Sequence, residues 1–401
     1  MKNYMAESAS VNSEVSENRK HLYIWALAFY LLIVPLDAIK LFESFSFMRI
    51  LVLLPVVLAL PQVKYQGLKM SRNGGLLLLY LGCILFSVLY SLDSSISRER
   101  AITIALNAGV VLVLSMFRIE RCEYDFLKRA YLLSSWFAAL LMIISSVTNV
   151  STTGRISISN GTSAQDANYV CGYLLYAAAY YSNEILNQKG KIKNVAILAF
   201  FSVLIFMTGS RGGLLAFLFT VIIVFLIGAA KRRNRIRTTI TIAFIVGLFI
   251  LISPYIIQLL PQTVADRFSI NTMLTDRGTG RTVLWANIIA AFKNASLFRQ
   301  TFGYGIGMST AFTWNHLLAH NLWLEYLIGI GLVGTLIALC FYIRLAAVCW
   351  KRNEIIVLAT LMGYMMMSMS LSIMAYKPLW NITLMILLLE RVNDYEETLV
   401  D

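Results

Sequence analysis

The chain has 401 residues, of which 58% are hydrophobic and 14% charged, and its mean hydropathy is +0.70. Soluble domains carry about 25% charged residues, so these values exclude a single soluble core and predict that lipid covers much of the apolar surface. The net charge of +13 does not indicate nucleic acid, because the basic residues lie mostly in short loops between apolar blocks, as in membrane topology. The five cysteines show no CxxC spacing, so neither a zinc site nor a disulfide framework is predicted.

Apolar blocks follow a polar N-terminal segment, and each block is long enough, or nearly so, to span a bilayer. Nine blocks lie within 22–260 and three within 321–391, and the stretch between them, 261–320, is polar. We therefore predict an all-α, polytopic membrane protein with about twelve transmembrane helices, one large loop, and tails at 1–21 and 392–401. The blocks are 22–39, 47–62, 75–92, 101–117, 131–148, 167–186, 195–209, 212–229, 238–260, 321–343, 355–373 and 378–390.

The positions of the basic residues predict how the chain is oriented. With the N-terminus in the cytoplasm, most of the 34 lysines and arginines fall in the inner loops, and every short outer loop holds few. This alternation follows the positive-inside rule and predicts that both termini are cytoplasmic. The loop at 261–320 then faces outward, which is the periplasm for the inner membrane of a bacterium.

The outer loop contains one stretch with helical character, at 282–298. Trp285, Ile288, Ile289 and Phe292 are spaced so that they share one face of a helix. Such a helix can lie on the membrane surface or pack on the transmembrane bundle, and the sequence leaves both alternatives open.

Arg211 is the first candidate binding residue. It lies in Thr208-Gly209-Ser210-Arg211-Gly212-Gly213, a tight outer turn with no other charge. The glycines would let a ligand approach the backbone closely, and the guanidinium suits a diphosphate through its bidentate fork. The alternative is an arginine that extends to the membrane surface from a turn.

Arg281 is the second candidate, because it precedes the amphipathic stretch at a predicted helix N-terminus, a location that favours anions. Arg277 lies four residues earlier and could assist, whereas Asp276 could neutralise one of the two. A solvated loop charge is the alternative. Arg155 could add positive potential to an anion pocket, and Asp166 is best explained as a helix cap.

His320 is the candidate catalytic residue, because a histidine near neutrality can exchange a proton with a sugar hydroxyl. Asn321 and Glu325 follow it and share a helix face. Glu325 lies in an apolar block, where an ionisable group needs a partner, so it could orient the imidazole ring. The alternative is a polar pair that caps the helix. His316 is a weaker candidate.

Four stretches together resemble the O-antigen ligase and O-antigen polymerase superfamily of bacterial membrane glycosyltransferases. They are Asp166-Ala167-Asn168; the turn at 208–213; Gly280-Arg281 through Trp285, leading to Gly303-x-Gly305-x-Gly307; and Ala319-His320-Asn321 ahead of Gly329-x-Gly331.

The resemblance implies a polytopic, GT-C-like fold and a glycan donor linked to undecaprenyl diphosphate. It also implies inverting, metal-independent transfer, in which Arg211 and Arg281 hold the diphosphate and His320 acts as the base. The absence of an Asp-x-Asp pair from the outer loops agrees with a reaction without metal, and no cofactor is expected.

A polysaccharide polymerase for O-antigen, capsule or exopolysaccharide is our first hypothesis, and a ligase that moves the finished glycan to lipid A-core or another acceptor is the second. A transporter or flippase is a third, but it would need ionisable residues deep in several helices and pseudo-symmetric halves, which the sequence does not show. The expected partners are an undecaprenyl-diphosphate-linked oligosaccharide and membrane lipid, with a chain-length regulator and a flippase as further candidates and no nucleic acid.

Overall fold

The computed structural model describes residues 22–39, 47–148, 154–159, 164–231, 247, 251–275 and 280–393. Within them the chain is mostly helical, which confirms the predicted all-α class, and two short strands, Ile119–Glu120 and Val392–Asn393, pair in parallel. The helices are α1 (22–33), α2 (Met48–Leu51), α3 (Leu53–Ala59), α4 (Val63–Gln66), α5 (Arg72–Ser87), α6 (Ser94–Ser115), α7 (Arg121–Thr148), α8 (Ala167–Val170), α9 (Leu175–Leu186), α10 (Lys191–Met207), α11 (Arg211–Lys231), α12 (251–259), α13 (Gln262–Ala265), α14 (Ile270–Thr275), α15 (Arg281–Lys293), α16 (Leu297–Phe302), α17 (Leu322–Lys351), α18 (Ile355–Ser368) and α19 (Lys377–Leu389).

Several helices have the length and composition of membrane spans. In the described part of the chain, four are long and apolar enough to cross a bilayer: Met48–Gln66, which joins α2 to α4, and α7, α11 and α17. Shorter apolar helices include α5, α18 and α19. The protein is therefore a helical membrane protein. A helix needs roughly 20 residues to cross the hydrocarbon core upright, and these shorter helices fall below that length. The count of about twelve spans therefore remains a prediction.

The core of the bundle forms around α19, in which every residue is buried. A helix that is apolar on all sides is stable only when other helices surround it, and α6, α7, α17 and α18 all pack against α19. Two longer helices, α11 and α17, carry the chain through the bundle. Both helices begin at the same end of the bundle, which we call the cavity end after a cavity described below. They finish near Lys231 and Lys351, and we call this other end the ion-pair end because Glu354 binds Arg121 and Lys128 there.

The glycine motifs join the outer segment to α17. Gly331 interrupts α17 with φ of 68° and ψ of −171°, and the N–H groups of Tyr304 and Gly305 donate to the carbonyls of Ile328 and Gly329 at 2.8 and 2.9 Å. A Cβ on Gly331 would clash with the carbonyl of Thr301, so two backbones approach here more closely than side chains allow. Both glycine motifs are thus close-packing elements.

The outer loop helix packs on the bundle. Leu284 and Ile288 of α15 are buried, and Ile288 lies in a cluster with Ala319 and Ile328. Ile289, which was expected on the same face, is exposed. Of the two alternatives for the amphipathic stretch, the structure therefore shows the packed helix, and this packing brings the first residue of α15 to the cavity end.

Candidate functional site

A cavity of about 190 Å³ lies at the cavity end of the bundle. Three of its lining residues are arginines, contributed by segments far apart in sequence, and the helices α11 and α15 both begin at it. The cavity thus combines guanidinium groups with two helix N-termini, and each of these features attracts anions. The lining residues are Asn168, Arg211, Gly212, Arg267, Arg281, Thr282 and Trp285.

Arg211 reaches the cavity because the turn before it ends one helix and starts the next. Gly209 has φ of +60°, and the Ser210 hydroxyl accepts a hydrogen bond from the Gly213 N–H at 3.0 Å, which caps the start of α11. Gly212 lines the cavity, as expected of a residue that leaves room for a ligand. It has a second role in packing, because a Cβ on it would clash with the Ser370 hydroxyl.

Arg281 is the first residue of α15. The preceding Gly280 has φ of 77°, no side chain caps the helix, and Arg281 and Thr282 line the cavity, so the positive end of the α15 dipole lies there. Burial lowers the pKa of Arg281; the charge of Asp166 opposes this effect, and the charges of Arg211 and Arg155 add to it. An arginine remains protonated at neutral pH even so, so the cavity keeps this positive charge.

Arg267 is the lining residue that the sequence analysis missed. Its Nε donates to the Gly209 carbonyl at 2.9 Å, and this bond ties the segment at 262–268 to the turn that carries Arg211. Val264 of the same segment is fully buried, which anchors it. The only sequence signal was a basic residue in the predicted outer loop, and nothing local distinguishes it from other charges there.

Arg155 and Asp166 support the cavity from its edge. The Nε of Arg155 donates to the Thr208 carbonyl at 2.7 Å, and a terminal nitrogen of the same guanidinium donates to the Asn168 side chain at 3.2 Å. Asp166 caps α8 by accepting from the backbone and side-chain nitrogens of Asn168, both at 2.8 Å, which confirms its interpretation as a cap. These bonds hold Asn168 at the cavity wall.

His320 directly precedes Asn321, the cap residue of α17, and has the left-handed φ of 49°. Burial lowers the pKa of His320, the charge of Arg281 adds to this effect, and the charge of Asp166 opposes it. The imidazole is therefore neutral near pH 7 and able to accept a proton. Its Nδ1 is buried and has no hydrogen-bond partner among the described residues.

The remaining candidates have structural contacts of their own. Glu325 is fully buried, and its carboxylate accepts from the hydroxyls of Ser309 and Ser372 and from the Ala319 N–H. None of these hydrogen bonds goes to the His320 ring, so the predicted direct orientation of the ring is replaced by a contact with the backbone N–H of the preceding residue, Ala319.

Asn321 caps α17 by accepting from the N–H groups of Trp323 and Leu324. His316 is exposed, and its Nδ1 lies 3.3 Å from the Thr310 carbonyl. The capping alternative thus holds for Asn321, and His316 does not line the cavity. Arg277 and Asp276 lie outside the described residues.

These features define a helical membrane protein with a basic cavity beside a neutral histidine. Residues 196–339 match the family model described as O-antigen ligase, and this segment contains Arg211, Arg267, Arg281 and His320. The match confirms the resemblance to the O-antigen ligase and polymerase superfamily over these residues. None of the curated proteins matches the chain.

The family match also indicates the type of activity. Members of the matching family are glycosyltransferase-like enzymes. The match indicates a function of the O-antigen ligase or polymerase type in a membrane. Ligases and polymerases share this family, so both remain candidates.

Proposed function

We propose that the protein is a polysaccharide polymerase, which transfers a growing glycan from undecaprenyl diphosphate to a hydroxyl of a new lipid-linked repeat unit on the outer face of the bacterial inner membrane. The observation that supports this proposal is the cavity with Arg211, Arg267 and Arg281 beside a neutral His320, inside the segment that matches the family.

In the proposed mechanism, the cavity holds the diphosphate of the donor. Arg211 and Arg281 form bidentate hydrogen bonds with phosphate oxygens, and α11 and α15, which both begin at the cavity, add the positive ends of their helix dipoles. When the bond between the sugar and the diphosphate breaks, negative charge develops on the leaving oxygen. Donors that are already in place stabilise this charge, and each is worth about 10²–10³ in kcat. The arginines thus supply the electrostatic stabilisation, and no metal ion is required.

His320 acts as the base in this proposal. It accepts the proton of the acceptor hydroxyl while the hydroxyl oxygen attacks the anomeric carbon from the side opposite the diphosphate. The new glycosidic bond forms as the bond to the diphosphate breaks, so the configuration inverts. The product is the longer glycan on the acceptor lipid, together with free undecaprenyl diphosphate.

A ligase is the second candidate, because the matching family model carries that description. The donor chemistry is the same for both enzymes, and only the acceptor differs. In cells, deletion of a polymerase leaves a single repeat attached to the surface acceptor. Deletion of a ligase removes all attached glycan and accumulates lipid-linked chains.

The direct test uses the purified protein in liposomes with a synthetic undecaprenyl-diphosphate-linked repeat unit. We expect wild-type protein to form a ladder of longer lipid-linked products. His320→Ala should abolish the ladder, and His316→Ala, which removes an exposed histidine outside the cavity, should leave it unchanged. Elongation that persists in folded His320→Ala protein would refute the proposed base.

A further inference from the structure

Ala319, the residue that precedes His320, is held at both of its backbone polar atoms. The Ala319 N–H donates to the Glu325 carboxylate at 2.7 Å, and the Ala319 carbonyl accepts from the Trp285 indole at 2.8 Å. Ala319 itself is fully buried. The backbone that carries the proposed base is therefore fixed from two directions by side chains of two different helices.

Trp285 belongs to both parts of the site. Its side chain lines the cavity, and its Nε1 holds the Ala319 carbonyl. It lies one helical turn after Arg281 on α15. A single helix therefore carries both Arg281, which is proposed to bind the diphosphate, and Trp285, which supports the backbone before His320. A shift of α15 would move both groups together.

Glu325 holds the backbone on the other side of the Ala319 Cα, through the Ala319 N–H. It lies in the first turn of α17, is fully buried, and accepts hydrogen bonds from the hydroxyls of Ser309 and Ser372 as well as from Ala319. A carboxylate with this many donors keeps a defined orientation. The Glu325 carboxyl group is thus buried, and its contact with the His320 segment is through the backbone.

The backbone of His320 explains why such support is needed. A left-handed φ in a residue other than glycine costs about 1–2 kcal/mol, and it persists only when the surroundings enforce it. Loss of one support would let the Ala319–His320 peptide relax and carry the imidazole away from its position. A displacement of about 1 Å can reduce the rate of a positioned reaction about 10²-fold.

We propose that Trp285 and Glu325 are positioning residues that clamp the backbone of Ala319 from both sides and so hold His320 beside the diphosphate cavity. The inference rests on the proposed function. It assigns to Glu325 the role of holding the backbone next to His320, rather than the imidazole ring. Trp285 links the position of the base to the helix that begins with Arg281.

Trp285→Phe tests the clamp with the smallest change, because it removes the indole N–H and keeps an aromatic ring at the cavity wall. Trp136→Phe is the matched control, since it removes an indole hydrogen bond of the same 2.8 Å length, to Tyr181, between α7 and α9. We expect Trp285→Phe to reduce kcat about 10-fold or more, with the KM for the lipid-linked donor within about two-fold of wild type. Trp136→Phe should retain both values.

Glu325 is tested by a pair of variants. Glu325→Gln keeps an oxygen that can accept from the Ala319 N–H, whereas Glu325→Ala removes it. We expect Glu325→Gln to retain more activity than Glu325→Ala, with the difference in kcat. Because either change in a buried residue can impair folding, the Trp285→Phe result stands on its own.

A second measurement does not depend on turnover. The rate at which diethyl pyrocarbonate modifies His320, followed by mass spectrometry, should differ between Trp285→Phe and wild type and remain the same in Trp136→Phe. Wild-type kcat together with an unchanged modification rate in Trp285→Phe would overturn the clamp. A rise in KM alone would also overturn it, because Trp285 would then only contact the donor. If wild-type protein transfers no glycan, the proposed function fails, and the modification rates still decide whether the clamp exists.

Discussion

Basic side chains have different partners at the two ends of the bundle. At the ion-pair end, the buried Glu354 carboxylate binds Arg121 at 2.5 Å and Lys128 at 3.2 Å. At the cavity end, Arg155 and Arg267 each donate to a backbone carbonyl, and Arg155 also donates to the Asn168 side chain. A carboxylate cancels the charge that it binds, whereas a carbonyl only fixes the position of the guanidinium. The first arrangement joins α7 to the start of α18, and the second brings arginines from separate segments to one cavity.

The long helices connect these two ends. α11 begins with Arg211 at the cavity and ends with Lys231, which donates to the Asn353 side chain. Its 21 residues span about 30 Å at 1.5 Å per residue, close to the thickness of the hydrocarbon core. The sequence therefore places a charge at each end of one membrane-length helix, and only the neighbours of each charge decide its role.

The largest expected effect is the loss of Arg281. Arg281→Ala removes a guanidinium and a charge at the N-terminus of α15, and we expect kcat/KM for glycan transfer to fall about 10²–10³-fold. Arg98→Ala is the control, because it removes an exposed arginine that does not line the cavity. Equal losses in both variants would show that general surface charge, rather than the cavity, supports activity.

Arg267 should show a smaller effect on transfer. Arg267→Ala leaves Arg211 and Arg281 in the cavity, so we expect about a 10-fold loss in kcat/KM, within the range for a hydrogen bond to a charged group. Arg267→Lys should recover part of the loss, because lysine restores the charge without the planar fork. Unchanged kinetics in Arg267→Ala would limit this residue to holding the Gly209 turn.

The pH dependence of transfer tests whether the charge of Arg281, which is proposed to bind the diphosphate, affects the pKa of His320, the proposed base. The pKa of His320 is lowered from 6.5, first by burial and then by Arg281, so the neutral base persists as the pH falls, and the acid limb of kcat/KM should lie below pH 6.5. In Arg281→Gln the neighbouring positive charge is gone, the pKa of His320 rises, and the acid limb of the residual activity moves to higher pH.

The control for the pH profile is Arg98→Gln, which should leave the limb in place. A wild-type limb above pH 6.5, or the same limb in Arg281→Gln, would contradict the proposed role of His320 as the base.

The ion-pair end should affect stability more than activity. Glu354→Gln weakens the contacts with Arg121 and Lys128, and we expect about 1–3 kcal/mol less unfolding free energy, seen as a lower midpoint of thermal denaturation. Transfer measured well below that midpoint should remain near wild type. A large loss of activity in folded Glu354→Gln protein would remove the distinction between the two ends.

The local parts of the site could be predicted from the sequence. Arg211 was expected in a tight turn, Arg281 at a helix N-terminus and Asp166 as a helix cap, because a glycine, a serine or an aspartate at such a position has a local conformational effect. The placement of Glu325 could not be predicted in this way. Its partners include Ser309 and Ser372, which lie 16 and 47 residues away in the chain, and no local pattern specifies that contact.

The sequence by itself determined the helical membrane class, the apolar blocks and the residues that could bind an anion or accept a proton. Those properties follow from hydrophobicity, periodicity and the chemistry of single side chains. Only the tertiary structure decided that Arg267 joins Arg211 and Arg281, that α15 packs on the bundle, and that Trp285 and Glu325 hydrogen-bond to the backbone of Ala319. These contacts join segments that are far apart in the sequence. They form only where helices and closely approaching backbones pack together, and that packing is a property of the folded chain rather than of any local segment.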